Sequence, residues 1–403
     1  MTDSPSPQPP APAPRRAWQQ LRASDLRASA RLATQATVGV VQLVEGVHQS
    51  VRATIGLPSG AQAGRTSGIP GLVYRSIEGS TRLIDRGLQA ALLRLEPWLA
   101  RALDAPTHAP DAQREALLGA LNGVLGDRLA ADANPPLALP MQLRQGGHPL
   151  NPAALPGGRK LLLLVHGLCM NDLQWQHNGH DHGAHLAQAC GYTPIYLRYN
   201  TGLPIADNGQ ALALQLETLL ATWPEPLQHL AAIGHSMGGL VLRAAVQAAT
   251  EAGMAWPAQL RQLVFLGSPH HGAPLEQAGH GVDLLLASTP YSRPFARLGR
   301  LRSAGITDLR HGQVRAQGDA PLPLPEGIAC YTVAATQARC RSCLADRLLG
   351  DGLVPLNSAL GRHREPARRL AFAPAQQYIA YQVGHLQLLS DPAVAHKLAQ
   401  WLG

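Results

Sequence analysis

The sequence predicts a mainly parallel β-sheet covered on both faces by helices, preceded by a separate helical region. Short continuous apolar runs recur at 160–167 (KLLLLVHG), 193–200 (TPIYLRYN), 229–236 (HLAAIGHS), 262–269 (QLVFLGSP) and 328–336 (IACYTVAAT). Helix-like stretches such as HGAHLAQACG and NGQALALQLETLLATWP separate the first four. The residues capable of chemistry fall just after the apolar runs, where open α/β sheets place their active sites.

Taken in chain order, residues 1–16 are rich in proline and are expected to be a disordered tail. Residues 17–132 turn helical. Val40, Val44, Val47, Val51 and Ile55 recur at helical spacing, and 71–99 and 111–131 repeat the pattern with glycine and proline breakers between. This segment reads as an N-terminal helical module whose apolar faces pack in a core. Contact with a membrane surface is the alternative reading. The α/β domain is expected over 155–403, after the linker ANPPLALP. Within it, 270–327 is a long insertion between two strands. It contains GVDLLLASTPY and reads as a cap over an apolar pocket.

Composition narrows the functional classes. Hydrophobic residues make up 45% and charged residues 15% of the 403, which describes a globular chain with a sizeable core. The net charge of +8 is spread along the chain with acids interleaved, and there are only three phenylalanines. A nucleic-acid partner is therefore not expected. Five cysteines do not form a disulfide framework, no apolar leader follows the first residues, and no run of about 18 apolar residues is present. The expected location is cytoplasmic, with a peripheral membrane contact left to the N-terminal helices.

The stretch AAIGHSMGGLV ends an apolar strand on Gly234–His235, places Ser236 in the turn and begins a helix at about Met237. Gly234-x-Ser236-x-Gly238 fits a nucleophile elbow, in which glycines let strand and helix approach and the turn lifts the serine above the sheet. A serine hydroxyl needs a base, and the base an orienting carboxylate. With an elbow of this kind the acid and then the histidine follow the serine in the chain. Asp351, between two glycines after the 328–336 strand, is the expected acid. His385, in a glycine turn after the last strand, is the expected base. Asp346 lies in a helix-like stretch, Asp283 and Asp308 fall in the insertion, and His396 sits on the final helix, so each is set aside. The backbone N–H of Met237 and that of Leu168, after His166–Gly167, are the expected donors to a tetrahedral oxyanion. His166 is expected to brace that loop.

LLVHGL, GHSMGGLV, GSPHHGAP and GDGLVP, in this order, resemble the bacterial lipases and esterases of the α/β-hydrolase superfamily. The resemblance is to the branch grouped with the PGAP1-like inositol deacylases and covers about 155–403. It implies an α/β-hydrolase fold and serine ester hydrolysis on a lipid or apolar acyl ester, with neither metal nor organic cofactor. Acyl transfer to an alcohol, thioester hydrolysis, and a membrane-surface scaffold with a vestigial site stay open.

Two clusters invite other readings. His177, His180, His182 and His185 with Asp181 contain metal-ligating residue types, but they begin a helix that spreads them over different faces. Asp181 suits the start of that helix. Cys340-x-x-Cys343 has no second pair to complete a zinc site and reads as free thiols.

Overall fold

The computed structural model describes residues 65–67, 70–84, 112–131, 137–272, 303–316, 321–339 and 350–403, with single positions at 34, 38, 42, 45, 49, 86 and 90. The chain forms two compact units, Met1–Asp111 and Ala112–Gly403. In the first, a helix runs over 70–84, and Arg65 pairs with Glu45 at 2.9 Å and Glu78 at 2.8 Å. The proline-rich tail, most of the cap insertion (273–302 and 317–320), Asp283, Asp346 and the Cys340–Cys343 pair lie outside the described residues.

The second unit is built on an eight-stranded sheet. Its strands are β1 (Gln142–Gln145), β2 (His148–Pro149), β3 (Lys160–Val165), β4 (Thr193–Arg198), β5 (His229–His235), β6 (Leu260–Leu266), β7 (Ala329–Thr336) and β8 (Gln377–Tyr381), in the order β2-β1-β4-β3-β5-β6-β7-β8. From β4 to β8 every pairing is parallel, and β1 runs antiparallel to both its neighbours. The continuous leucines of β3 follow from its place between β4 and β5. Residues 161–165 are buried whichever face they point to, so no polar alternation survives. The sequence did not expose the β1–β2 pair, because four residues reading QLRQ and two reading HP carry no apolar period.

Helices α1 (Ala112–Ala131), α2 (His182–Cys190), α3 (Ile205–Ala221), α4 (Met237–Glu251), α5 (Ala304–His311) and α6 (Pro392–Leu402) are the longer helices described in this unit. Side-chain oxygens of Asp181, Ser303 and Asp391 cap α2, α5 and α6 by accepting from Ala184, Ile306 and Val394 N–H groups. The helix over 112–131, contiguous in sequence with the N-terminal helical pattern, belongs to the unit that holds the sheet. Its Gly119, Gly123 and Gly126 fall on one face. A Cβ at Gly123 would stand 2.2 Å from Cys169 Sγ, and one at Gly126 would stand 1.8 Å from Asn200 Oδ1. Asn200 Nδ2 donates to Gly126 O at 2.9 Å, and Ser303 Oγ donates to Gly123 O at 2.7 Å. The YNTG segment after β4 is thus a docking point for α1. Glu115 of the same helix pairs with Arg198 in the core-facing layer, beside an Arg144–Asp172 pair at 2.9 Å.

Candidate active site

Ser236 occupies the single-residue junction between β5 and α4 with φ 53° and ψ −122°, a backbone conformation that a non-glycine residue adopts only under constraint. Small residues make the junction geometrically feasible. A Cβ on Gly234 would stand 2.5 Å from Gly239 Cα, and one on Gly238 would stand 2.2 Å from Val165 O. Ser236 N–H donates to Leu266 O at 2.8 Å, which ties the turn to the end of β6.

Asp351 lies in the loop after β7, between Gly350 (φ 42°) and Gly352 (φ 96°). Its Oδ1 accepts from the N–H groups of Leu353 at 2.9 Å and Val354 at 2.7 Å. Its Oδ2 faces His385 Nδ1 at 2.6 Å, with both side chains almost wholly buried. A carboxylate only accepts, so Nδ1 carries the proton and Nε2 presents its lone pair. Nε2 is buried and has no hydrogen-bond partner among the described residues. The His385 N–H in turn donates to Asp351 O at 3.1 Å, so backbone and side chain hold the pair in one register.

The elbow and the Asp–His pair meet through their neighbours. His235, immediately before Ser236, has its ring centroid 4.8 Å from that of His385, and its Nε2 donates to His385 O at 3.2 Å. Burial, reinforced by the His385 imidazole, pushes His235 well below the ordinary histidine range, so it is a neutral brace. Gly267, at the end of β6, packs close enough that a Cβ there would stand 3.2 Å from His385 Cε1. On the other side of the elbow, a Cβ at Gly167 would stand 3.0 Å from Ser236 Cβ.

The loop after β3 is itself held from several directions. His166 Nδ1 donates to Gly167 O at 2.9 Å, its ring stacks on Tyr199 at 4.5 Å, and Tyr199 OH donates to His166 O at 2.8 Å. Burial lowers the His166 pKa to about 4, so it too is neutral near pH 7. The N–H groups of Cys169 and Met170 are engaged by Thr201 Oγ1 and Gly167 O. Met237 opens α4, so its N–H has no acceptor within the helix.

Some supporting residues were not identifiable from spacing. His182 Nε2 donates to Leu388 O at 2.9 Å, anchoring the turn that follows His385, and His180 Nε2 donates to His182 Nδ1 at 2.9 Å. The histidine cluster is therefore tied into a hydrogen-bonded brace. Burial brings His182 to about 4. Among the set-aside residues, Asp308 Oδ2 accepts from Ile205 N at the start of α3, and exposed His396 pairs with Gln400. Neither joins the Ser236–His385 region through these contacts.

The sheet order, the strand–serine–helix junction and the post-strand Asp–His pair define an α/β-hydrolase fold. Residues 158–291 match the family model of the PGAP1-like alpha/beta domain. No curated protein sequence matches the chain. Among solved structures, the mature lipase BlEst2 of Bacillus licheniformis aligns with a TM-score of 0.42 at 17% identity, covering 65% of this chain and 98% of that one. A thermophilic esterase from Thermogutta terrifontis aligns at 0.38 and 15%, covering 61% and 90% of the two chains. The RedJ thioesterase of the Streptomyces coelicolor prodiginine pathway aligns at 0.35 and 14%, covering 62% and 91%.

Proposed function

We propose that this chain is a serine ester hydrolase acting on a lipid or other apolar acyl ester through an acyl-enzyme. The observation that carries the reading is the buried His385–Asp351 pair at 2.6 Å, with an unpartnered Nε2, linked through His235 to the constrained Ser236. In this reading Ser236 Oγ attacks the ester carbonyl while His385 Nε2 takes its proton. The N–H groups of Met237 and Leu168 receive the tetrahedral oxyanion. His385 then returns the proton to the leaving alcohol as the C–O bond breaks. Water, deprotonated by the same Nε2, attacks the acyl-serine, and collapse releases the acid with Ser236 restored. The PGAP1-like match and the quoted lipase-like motifs support an acyl ester as substrate.

Hydrolysis of p-nitrophenyl esters from short to long acyl chains, comparing wild type with Ser236→Ala, tests the proposal. The variant is expected to lose activity by about 10⁴-fold or more. Wild-type activity that survives the substitution would refute the assignment. Product analysis with competing alcohols and with acyl thioesters separates hydrolysis from acyl transfer and thioester cleavage.

A further inference from the structure

Outside the Ser236–His385–Asp351 set, a cavity of about 100 Å³, partly open to solvent, is lined by a concentration of cationic and imidazole side chains. Arg243, Arg315 and Arg368 line it together with His270, His271 and His363, and no aspartate or glutamate is among its described lining residues. His270, His271, His311, Gly312 and Gln313 also line it, from two segments that cross closely. There, a Cβ on Gly272 would stand 2.2 Å from Arg310 O, and one on Gly312 would stand 2.5 Å from Gly272 N.

Two of these side chains are buried beyond nine-tenths and carry polar atoms with no partner among the described residues. Arg243, on α4, is 4% exposed; one terminal nitrogen donates to Leu322 O, but its Nε has no partner among the described residues. His270 is 3% exposed, and neither ring nitrogen has a partner among the described residues. It is wedged edge-on against Phe265 at 4.8 Å and beside Phe372 at 5.5 Å, so its orientation is fixed by packing. His271 Nε2 and Arg315 Nε are also buried and have no partner among the described residues. Buried polar atoms are ordinarily paired, and a buried guanidinium without a counter-charge is strongly disfavoured. Burial lowers the Arg243 pKa only to about 10, so it keeps its charge near neutral pH. One pairing is present at the rim, where Arg368 Nε contacts Glu365 at 3.0 Å.

An acidic ligand with several acceptor oxygens answers all of these groups at once. A carboxylate offers two oxygens in one plane. Donors contributed by α4, the loop after β6, the segment after α5 and the 363–370 loop suit a tetrahedral group carrying more than one negative charge. We propose that this cavity is a binding site for a phosphate oxyanion, either inorganic phosphate or the phosphate of a phosphomonoester. The site goes beyond the proposed ester hydrolysis and does not depend on it, because binding is measured with no ester present.

The test is isothermal titration of the full-length chain with inorganic phosphate at pH 7 and constant ionic strength, with Tm followed in parallel. Wild type is expected to bind, and its Tm to rise with phosphate concentration. Arg315→Gln, at a half-buried rim position, is expected to weaken binding by about tenfold or more, and Arg243→Gln to abolish it. Should Arg243→Gln fail to fold, Arg315→Gln with His270→Gln decides. Absence of binding by wild type, or equal binding by folded variants, overturns the site. The source of the phosphate is resolved by comparing an uncharged ester with a monoacylglycerol phosphate. A selective fall in kcat/KM for the phosphorylated ester in Arg315→Gln identifies a substrate head group. Lost phosphate binding with both esters unaffected identifies a site for the free ion.

Discussion

Replacing Asp351 by asparagine separates the chemistry of the candidate triad from its architecture. Asp351 uses Oδ1 to accept from Leu353 and Val354 N–H groups at 2.9 and 2.7 Å, and Oδ2 to accept from His385 Nδ1 at 2.6 Å. An asparagine can keep its oxygen on the two backbone donors, so the loop retains its shape. Its NH₂ then faces Nδ1, and two donors cannot share that contact. The imidazole must place its proton on Nε2 instead, which removes the lone pair required to deprotonate Ser236. The expected loss in kcat is about 10⁴-fold, equivalent to about 5.4 kcal/mol at about 1.36 kcal/mol per factor of ten. Urea denaturation is expected to show a change within about 1–2 kcal/mol, because only the one charge-assisted bond is lost. Asp351→Ala serves as the contrast. It also strips the acceptor from two backbone donors, each costing about 1–3 kcal/mol when left unsatisfied, so it loses stability as well as activity. Activity is read as p-nitrophenyl ester turnover under saturating substrate. An asparagine variant that folds normally and keeps more than about a tenth of the wild-type kcat would refute the role given to the Asp351–His385 pair.

Two further outcomes follow from the packing. Gly123→Ala places a methyl 2.2 Å from Cys169 Sγ and 3.0 Å from Cys169 Cα, so it is expected to destabilise by about 1–3 kcal/mol through overpacking, measured by urea titration. It should also lower ester turnover, since the loop displaced is the one carrying Leu168. Acid is expected to destabilise the protein before the carboxylates titrate. His166 and His182 have folded pKa values of about 4 against an ordinary 6.5, so the unfolded chain binds more protons between about pH 4 and 6.5. Stability therefore rises with pH through that window and is lost as pH falls, by about 3 kcal/mol for each histidine. Equal unfolding midpoints at pH 5 and pH 8 would contradict this.

The parts of the fold legible in the sequence were those whose local chemistry is unusual. Five buried runs gave β3 to β7 because strands covered on both faces must be apolar throughout. The serine elbow announced itself because only glycines fit where strand and helix cross at the distances seen for Gly234 and Gly238. Asp351 was legible from the glycines at 350 and 352, which adopt the positive φ that its loop needs. The His182–Leu388 bond was not, since it joins residues 206 apart and depends on how α2 lies against the last turn. The cationic cavity was equally hidden. Arg243, His270, Arg315 and Arg368 are far apart in sequence, and each resembles an ordinary surface residue until the fold buries two of them with polar atoms that have no partner among the described residues.

The glycines of α1 mark the place where pattern and structure part most clearly. GALNGVLG weakens an isolated helix, since each glycine costs about 1 kcal/mol relative to alanine. Read along the chain, it attached 111–131 to the preceding helical stretches. In three dimensions the same residues are what admit the helix to the α/β unit, because Gly119 lies against Met170 O, Gly123 against Cys169 and Gly126 against Asn200. Cys169 is held with φ 60° between α1 and Thr201, one residue beyond Leu168. The helix therefore backs the loop that faces Ser236. Its low intrinsic propensity is the cost of bringing backbone against backbone at that loop. A larger residue at 123 would favour the helix in isolation and oppose its seating, so ester turnover and helix propensity should move in opposite directions across substitutions at that position.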